Sequence, residues 1–254
     1  MFESTPTPSR RLAAVVGHRG AGKLAPENTL AALRAAASMG LAWVEFDARL
    51  TADGVPVLLH DPTLDRTTDG HGAIDRMAVQ ALRGVDAGGW FGPQFAGEPV
   101  PTLEQALACL ADLGLAANIE IKAESGRGGR AGARIAAAVA RLWPADLPPP
   151  VLSSFDEDAL AAAAETAPAL ERALIVGAVP PDWAARLGRL GCRALHAAVS
   201  PLDEETAAAV VSAGVALRVY TVNDPATAER LFACGVESVF TDRPDRLLGR
   251  WPAA

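Results

Sequence analysis

Short apolar runs alternate along this chain with longer stretches in which alanine and leucine recur at helical spacing. Repeated alternation of strand-length and helix-length patterns marks βα units and a parallel sheet. Eight runs read as strands: residues 13–18, 42–50, 117–122, 151–155, 173–176, 194–197, 216–221 and 238–241. Several helix starts carry readable chemistry. Thr102-Leu-Glu-Gln105 has the form of a capping box, followed by Leu103, Ala106, Leu107 and Leu110 at helical spacing. Ser200-Pro201 and Asn223-Asp224-Pro225 each place a capping residue before a proline at a first helical position. Gly40, Gly114, Gly191, Gly214 and Gly235 stand where helices should end.

Eight such repeats in 254 residues predict an α/β fold, a closed (β/α)₈ barrel, with the whole chain 1–254 as one domain. A doubly wound open sheet is the runner-up, but His18-Arg-Gly-Ala-Gly22 lacks the full spacing of a dinucleotide loop. One run breaks the rhythm. Residues 55–60 follow the second strand after only Thr51-Ala-Asp-Gly54, and Asp53-Gly54 is a hairpin signal. Too short for a parallel crossover, this connection predicts a ninth, antiparallel strand outside the barrel proper. Residues 61–101 are rich in Gly and Pro and contain Trp90, Phe91 and Phe95. They read as a small insertion over the barrel mouth. Pro148–Pro150 fits a helix-to-strand connection, and Gly126–Arg130 a loop after a strand.

Charge narrows the function classes. The net charge is -7, with no basic footprint of the kind a nucleic-acid binder carries. An anionic substrate must be held by local positive charge or a metal, against the field of the whole protein. Cys109, Cys192 and Cys234 are far apart and lie in apolar segments, as reduced packing residues would. The N-terminal stretch has no apolar core of a signal segment and no later run would span a bilayer. The expectation is a cytoplasmic protein without stable membrane association; a homodimer is left open.

The chemistry starts on Trp43–Leu50. Strand alternation puts Val44, Phe46, Ala48 and Leu50 on one face and Glu45, Asp47 and Arg49 on the other. In a barrel the apolar face meets the helices, so both carboxylates point inward. Burying two anions without compensation is costly, and a divalent cation removes that cost. On this strand alone, a solvated edge or pairing with Arg49 stands level with the metal. Asn118-Ile-Glu-Ile-Lys122 repeats the pattern, with Glu120 and Lys122 on one face, and two strands in agreement favour the metal. His18 and His60 both end strands in the same N-terminal portion, and such a pair can exchange protons near neutrality. Arg19 offers a forked donor for a phosphate. His71 and His196 read as structural.

Taken together and in order, His18-Arg-Gly20, Pro26-Glu-Asn-Thr29, Glu45-Phe-Asp47, Asp53-Gly54, His60-Asp61, Glu120-Ile-Lys122 and Thr241-Asp-Arg-Pro244 resemble the glycerophosphodiester phosphodiesterase family, in its cytosolic bacterial type. The resemblance runs from about Val16 to Pro244. It implies a barrel with a small insertion after the second strand. It also implies metal-dependent hydrolysis of a small glycerophosphodiester to sn-glycerol 3-phosphate and an alcohol. In its terms His18 and His60 are the acid–base pair, with His60 the acid. Glu45, Asp47 and Glu120 bind one divalent ion, Mg²⁺ or Ca²⁺, and Arg19 and Lys122 contact the phosphate. Tyr220 stands where many members have Trp and would shape the glycerol or leaving-group pocket; Phe155 either touches the glycerol carbons or packs. A non-catalytic binding barrel and a lysolipid-cleaving relative are the alternatives. The complete set of histidines, carboxylates and basic residues weighs against the first, and the absence of a membrane-binding stretch against the second.

Overall fold

In the computed structural model, which describes residues 12–251, the apolar runs form nine strands and the Ala/Leu stretches form eight helices among the described residues. The expected polar N-terminal tail, residues 1–11, lies outside the described residues. In chain order the elements are β1 (Val15–Gly17), α1 (Leu30–Ser38), β2 (Trp43–Leu50), β3 (Pro56–Leu58), α2 (Leu103–Leu113), β4 (Ala116–Ile121), α3 (Gly128–Leu142), β5 (Val151–Ser154) and α4 (Glu157–Thr166). Then follow β6 (Glu171–Val176), α5 (Trp183–Leu190), β7 (Ala194–Ala198), α6 (Glu204–Ser212), β8 (Ala216–Tyr220), α7 (Pro225–Ala233), β9 (Ser238–Thr241) and the short α8 (Pro244–Leu247).

Eight of the strands close on themselves. Parallel pairing runs from β2 through β4 to β9 in sequence, then through β1 back to β2. This is a (β/α)₈ barrel. β3 is the exception: it pairs antiparallel with the end of β2, Ala48 opposite Leu58, as the Asp53-Gly54 turn requires. Strand alternation then sorts the core into two layers. Val44, Phe46, Ala48, Ile119 and Ile121 face outward onto Leu33, Leu107, Leu110, Ile135 and Val139 of the helices. Trp43, Ala116, Val151, Ala173, Ala194 and Phe240 fill the base of the barrel from inside. Above them the interior turns polar. Fully buried Arg218 donates from Nε to Glu237 (2.6 Å) and from Nη2 to Glu171 (3.1 Å). His196 lies beside it and against Phe240; burial and the Arg218 charge both keep its ring neutral.

The insertion builds a small core of its own, in which Leu64, Ile74, Leu82, Ala87 and Val100 cover Val57 and Leu59 of the hairpin. Phe91 meets both Trp90 and Phe95 edge to face. No helix among the described residues is long and apolar enough to cross a membrane.

Local chemistry at the helix ends follows the sequence in most places. Thr102 and Gln105 make the reciprocal capping box, and Asp224 caps α7 ahead of Pro225. Two expectations need correction. Ser200 does not cap α6. That helix starts later, at Asp203, whose carboxylate accepts from the Thr206 amide at 2.7 Å, with Glu204 and Glu205 in the first turn where the helix dipole favours them. Gly128, Gly129 and Arg130 are not loop but the opening turn of α3.

Only some of the glycines of α3 serve close packing. A Cβ on Gly132 would collide with the Ala159 carbonyl oxygen of the adjoining α4, whereas one on Gly129 would meet nothing within 4 Å. Glycine in a helix interior ordinarily costs about 1 kcal/mol against alanine. Gly129→Ala should therefore raise the melting temperature. Gly132→Ala should lower it, since overpacking of about 1–3 kcal/mol outweighs the propensity gain. Thermal unfolding of the two variants checks this; an increase for both would mean that α3 and α4 do not pack this closely.

Candidate active site

The inward face of β2 and β4 carries three carboxylates to one place. Ligand oxygens of Glu45, Asp47 and Glu120 all lie within 4.8 Å of one another. Asp47 and Glu45 are buried, and Glu45 Oε1 has no hydrogen-bond partner. Arg49, on the same face, does not neutralise them: its Nε donates to the His60 carbonyl (2.8 Å) and its Nη1 to Glu124 (2.6 Å). Lys122 Nζ does approach, 3.3 Å from Asp47 Oδ1 and 2.5 Å from Glu120 Oε1.

One ammonium cannot balance three anions at this depth. Burial and the neighbouring Asp47 charge push the Glu45 carboxyl up to about 7. The same two causes push Glu120 up to about 8. Asp47 alone is held below the usual range: burial opposes its ionisation, but Lys122 and Arg19 prevail. Three converging oxygen donors, one without a partner and two resisting ionisation, have the donor set and the charge deficit that suit a hard divalent cation.

The loop after β1 organises this cluster. Arg19 takes a left-handed backbone with φ +53°, and its amide donates to Glu45 Oε2 at 2.9 Å. In the Pro26-Glu27-Asn28-Thr29 segment each polar residue has its own task. Glu27 accepts from Arg19 Nη1 at 2.7 Å. Asn28 grips Asp47 twice, donating Nδ2–H to its carboxylate (2.9 Å) and accepting its backbone N–H (3.0 Å). Thr29 caps α1. Arg19 Nε is 3.6 Å from Asp47 Oδ2, so its guanidinium faces the carboxylate cluster.

Both histidines flank the cluster and share one design. His18 Nδ1 lies 2.7 Å from Asp242, and His60 Nδ1 lies 2.7 Å from Asp61. A carboxylate on Nδ1 fixes the ring and leaves Nε2 for proton transfer. Asp242 is itself held by Asn223, whose carbonyl accepts the Asp242 amide at 2.8 Å. The loop carrying Gly22 runs against the backbone of Asp242, where any Cβ would collide. The two rings differ in environment. Burial works against the His18 imidazolium, but the Asp242 hydrogen bond and the Glu45 charge, 3.9 Å from Nε2, prevail and raise its pKa. At His60 burial outweighs Asp47 and Asp61, and the pKa falls.

A recess opens beside the carboxylates, lined by His18, Glu45, Asn118, Glu120, His196 and Tyr220 among others. Asn118 Oδ1 is buried there without a partner. The Tyr220 ring lines the recess, but its hydroxyl donates to the Val176 carbonyl (2.9 Å). Phe155 stands edge-on to Tyr220, half exposed, with Lys122 Nζ 5.6 Å from its ring centre. Every residue singled out from the sequence for chemistry thus meets at the C-terminal rim of the barrel, while His71 pairs with Asp65 on the surface. Nothing in the sequence assigns Asp61, Asp242, Glu27, Asn28 or Asn223 a part in the site, although four of them sit inside the motifs that carry the resemblance.

The comparisons agree with this geometry. Residues 18–246 match the sequence profile of the glycerophosphoryl diester phosphodiesterase family. A glycerophosphodiester phosphodiesterase of Caldanaerobacter subterraneus is 33% identical over 236 residues, covering 92% of this chain and 96% of that protein. A solved Oleispira antarctica phosphodiesterase in complex with the product sn-glycerol-3-phosphate superposes with TM-score 0.89 and 37% identity, covering 93% of this chain and 95% of that one. A glycerophosphodiester phosphodiesterase from Agrobacterium tumefaciens gives TM-score 0.75 at 32% identity, covering 92% and 98%. The chain belongs to the glycerophosphoryl diester phosphodiesterase family, and its activity is that of a glycerophosphodiester phosphodiesterase.

Proposed function

We propose that this chain hydrolyses small glycerophosphodiesters to sn-glycerol 3-phosphate and an alcohol with one divalent cation, Mg²⁺ or Ca²⁺, and the histidine pair as acid and base. The observation that supports this most is the convergence of Glu45, Asp47 and Glu120 between two His–Asp pairs. These three carboxylates would hold the cation, which when bound supplies charge neutralisation to the phosphoryl group. Arg19 presents a guanidinium to a phosphate oxygen and Lys122 an ammonium, in a site where buried charge acts more strongly than in water. His18 and His60 take a proton from the attacking oxygen and give one to the departing oxygen. Tyr220 and Phe155 form an apolar wall for the glycerol or the leaving alcohol. We take the chain to act as one domain, with residues 61–101 as its own insertion. The three unpaired cysteines accord with a cytoplasmic place of action.

Cation dependence is the first outcome to check. Chelation should abolish release of glycerol 3-phosphate from glycerophosphocholine, and added Mg²⁺ or Ca²⁺ should restore it. Asp47→Ala, Glu45→Ala and Glu120→Ala should each resemble the chelated protein. Full activity after exhaustive chelation would sink the assignment.

The histidines give the second. His18→Ala and His60→Ala should each lower kcat by roughly 10²–10⁴, the scale of acid–base catalysis. With both present, the pH profile of kcat/KM should be bell-shaped, its limbs belonging to the pair. A p-nitrophenyl diester, whose leaving group needs no proton, should forgive loss of the acid and not of the base. Resemblance gives the acid role to His60, whereas the surroundings favour the proton on His18, whose pKa is raised while that of His60 is lowered. The activated substrate separates these; equal losses in both variants would contradict a division of roles.

A further inference from the structure

We propose that Arg66, from the insertion, is a positioning residue that ties the phosphate-holding Arg19 to the proton-transferring His60. The inference rests on the roles proposed above for those two residues. Arg66 makes a double fork. Nε donates to Asp61 Oδ2 (2.6 Å) and Nη2 to Asp61 Oδ1 (3.0 Å). Nη1 donates to Glu27 Oε2 (2.8 Å) and Nη2 to Glu27 Oε1 (2.8 Å). Each carboxylate then reaches inward to one functional side chain: Glu27 to Arg19 Nη1 (2.7 Å) and Asp61 to His60 Nδ1 (2.7 Å). The result is a continuous chain, Arg19–Glu27–Arg66–Asp61–His60, closed by one guanidinium.

The chemistry of that guanidinium is specific. A planar group with five N–H donors can fork two carboxylates at once; an ammonium is a point charge and cannot. Arg66 is partly exposed and spends its donors on Glu27 and Asp61, so its part is to position Arg19 and His60 rather than to react. Without it, Glu27 would be left with Arg19 as its cation, drawing that guanidinium back and neutralising charge meant for the phosphate. Asp61 would lose two donors and be free to swing, and the His60 ring would follow. The insertion thus contributes to the site without supplying a reacting group.

The test is a kinetic cycle on glycerophosphocholine with Arg66→Ala, Arg66→Lys and His60→Ala. Arg66→Ala should lower kcat/KM by about 10²-fold, the scale that about 1 Å of misplacement costs. Both kcat and KM should change, because the two arms act on different steps. In the His60→Ala background, removing Arg66 should cost less in kcat than it does with His60 present, while KM still rises. Arg66→Lys should recover only part of the loss, and millimolar guanidinium should partly rescue Arg66→Ala. If Arg66→Ala folds poorly, the same cycle run with Arg66→Lys gives the answer. A variant within twofold of wild type in kcat and KM overturns the proposal. So does an equal kcat loss with and without His60, which would mark a general effect on the fold. Normal turnover by His60→Ala would overturn the His60 assignment and this inference with it. A crippled His60→Ala beside an unaffected Arg66→Ala would overturn this inference alone.

Discussion

Three carboxylates placed within one coordination sphere inside a barrel repel one another, and burial removes the water that would otherwise screen them. Everything around Glu45, Asp47 and Glu120 can be read as a response to that charge. Lys122 leans in from just past the end of the strand that carries Glu120, Arg19 reaches over from the β1 loop, and Asn28 clamps Asp47 from both ends. Two of the acids still resist ionisation, with Glu45 near 7 and Glu120 near 8. The protein keeps a deficit of positive charge at the spot where a doubly charged ion would be most stabilised.

The barrel makes this placement possible. Eight parallel strands aim their C-terminal ends at one rim, and strand alternation sends every second side chain inward. Below the rim the interior is filled by Arg218, Glu171 and His196, and lower still by an apolar plug, so the carboxylates rest on a packed floor. The surrounding loops then supply groups held by their own partners. Each histidine has its aspartate, and Asp242 has Asn223. Such support keeps reactive side chains within the small displacements that catalysis tolerates.

The parts legible in the sequence were those governed by periodicity. Alternation on Trp43–Leu50 placed Glu45 and Asp47 inside, and Asp53-Gly54 disclosed the antiparallel β3. The reacting residues stood out because charges on an inward face demand an explanation. Their supports did not. Asp242 lies 224 positions from His18, and Arg66 lies 39 from Glu27, so no local pattern announces the contact. Asp61 adjoins His60, and Asn28 sits in the Pro26–Thr29 motif, yet neither position reveals where a side chain points. Arg49 shared the carboxylates' face but turns to Glu124 and the His60 carbonyl, a choice set by the hairpin's return path. Ser200-Pro201 imitated a helix start because capping residues and prolines are equally common in turns; the acidic run at Asp203 to Glu205 won.

If the buried carboxylates are incomplete without a cation, ion binding must drive protons off them. Calorimetric titration of Mg²⁺ or Ca²⁺ into chelator-treated protein, repeated in buffers of different ionisation enthalpy, counts protons lost per ion bound. With Glu45 near 7 and Glu120 near 8, binding at pH 7 should occur at one ion per chain and expel roughly one to two protons, a number that shrinks as the pH rises past 8. Binding with no proton release at pH 7, or undiminished in Asp47→Asn, would contradict the account.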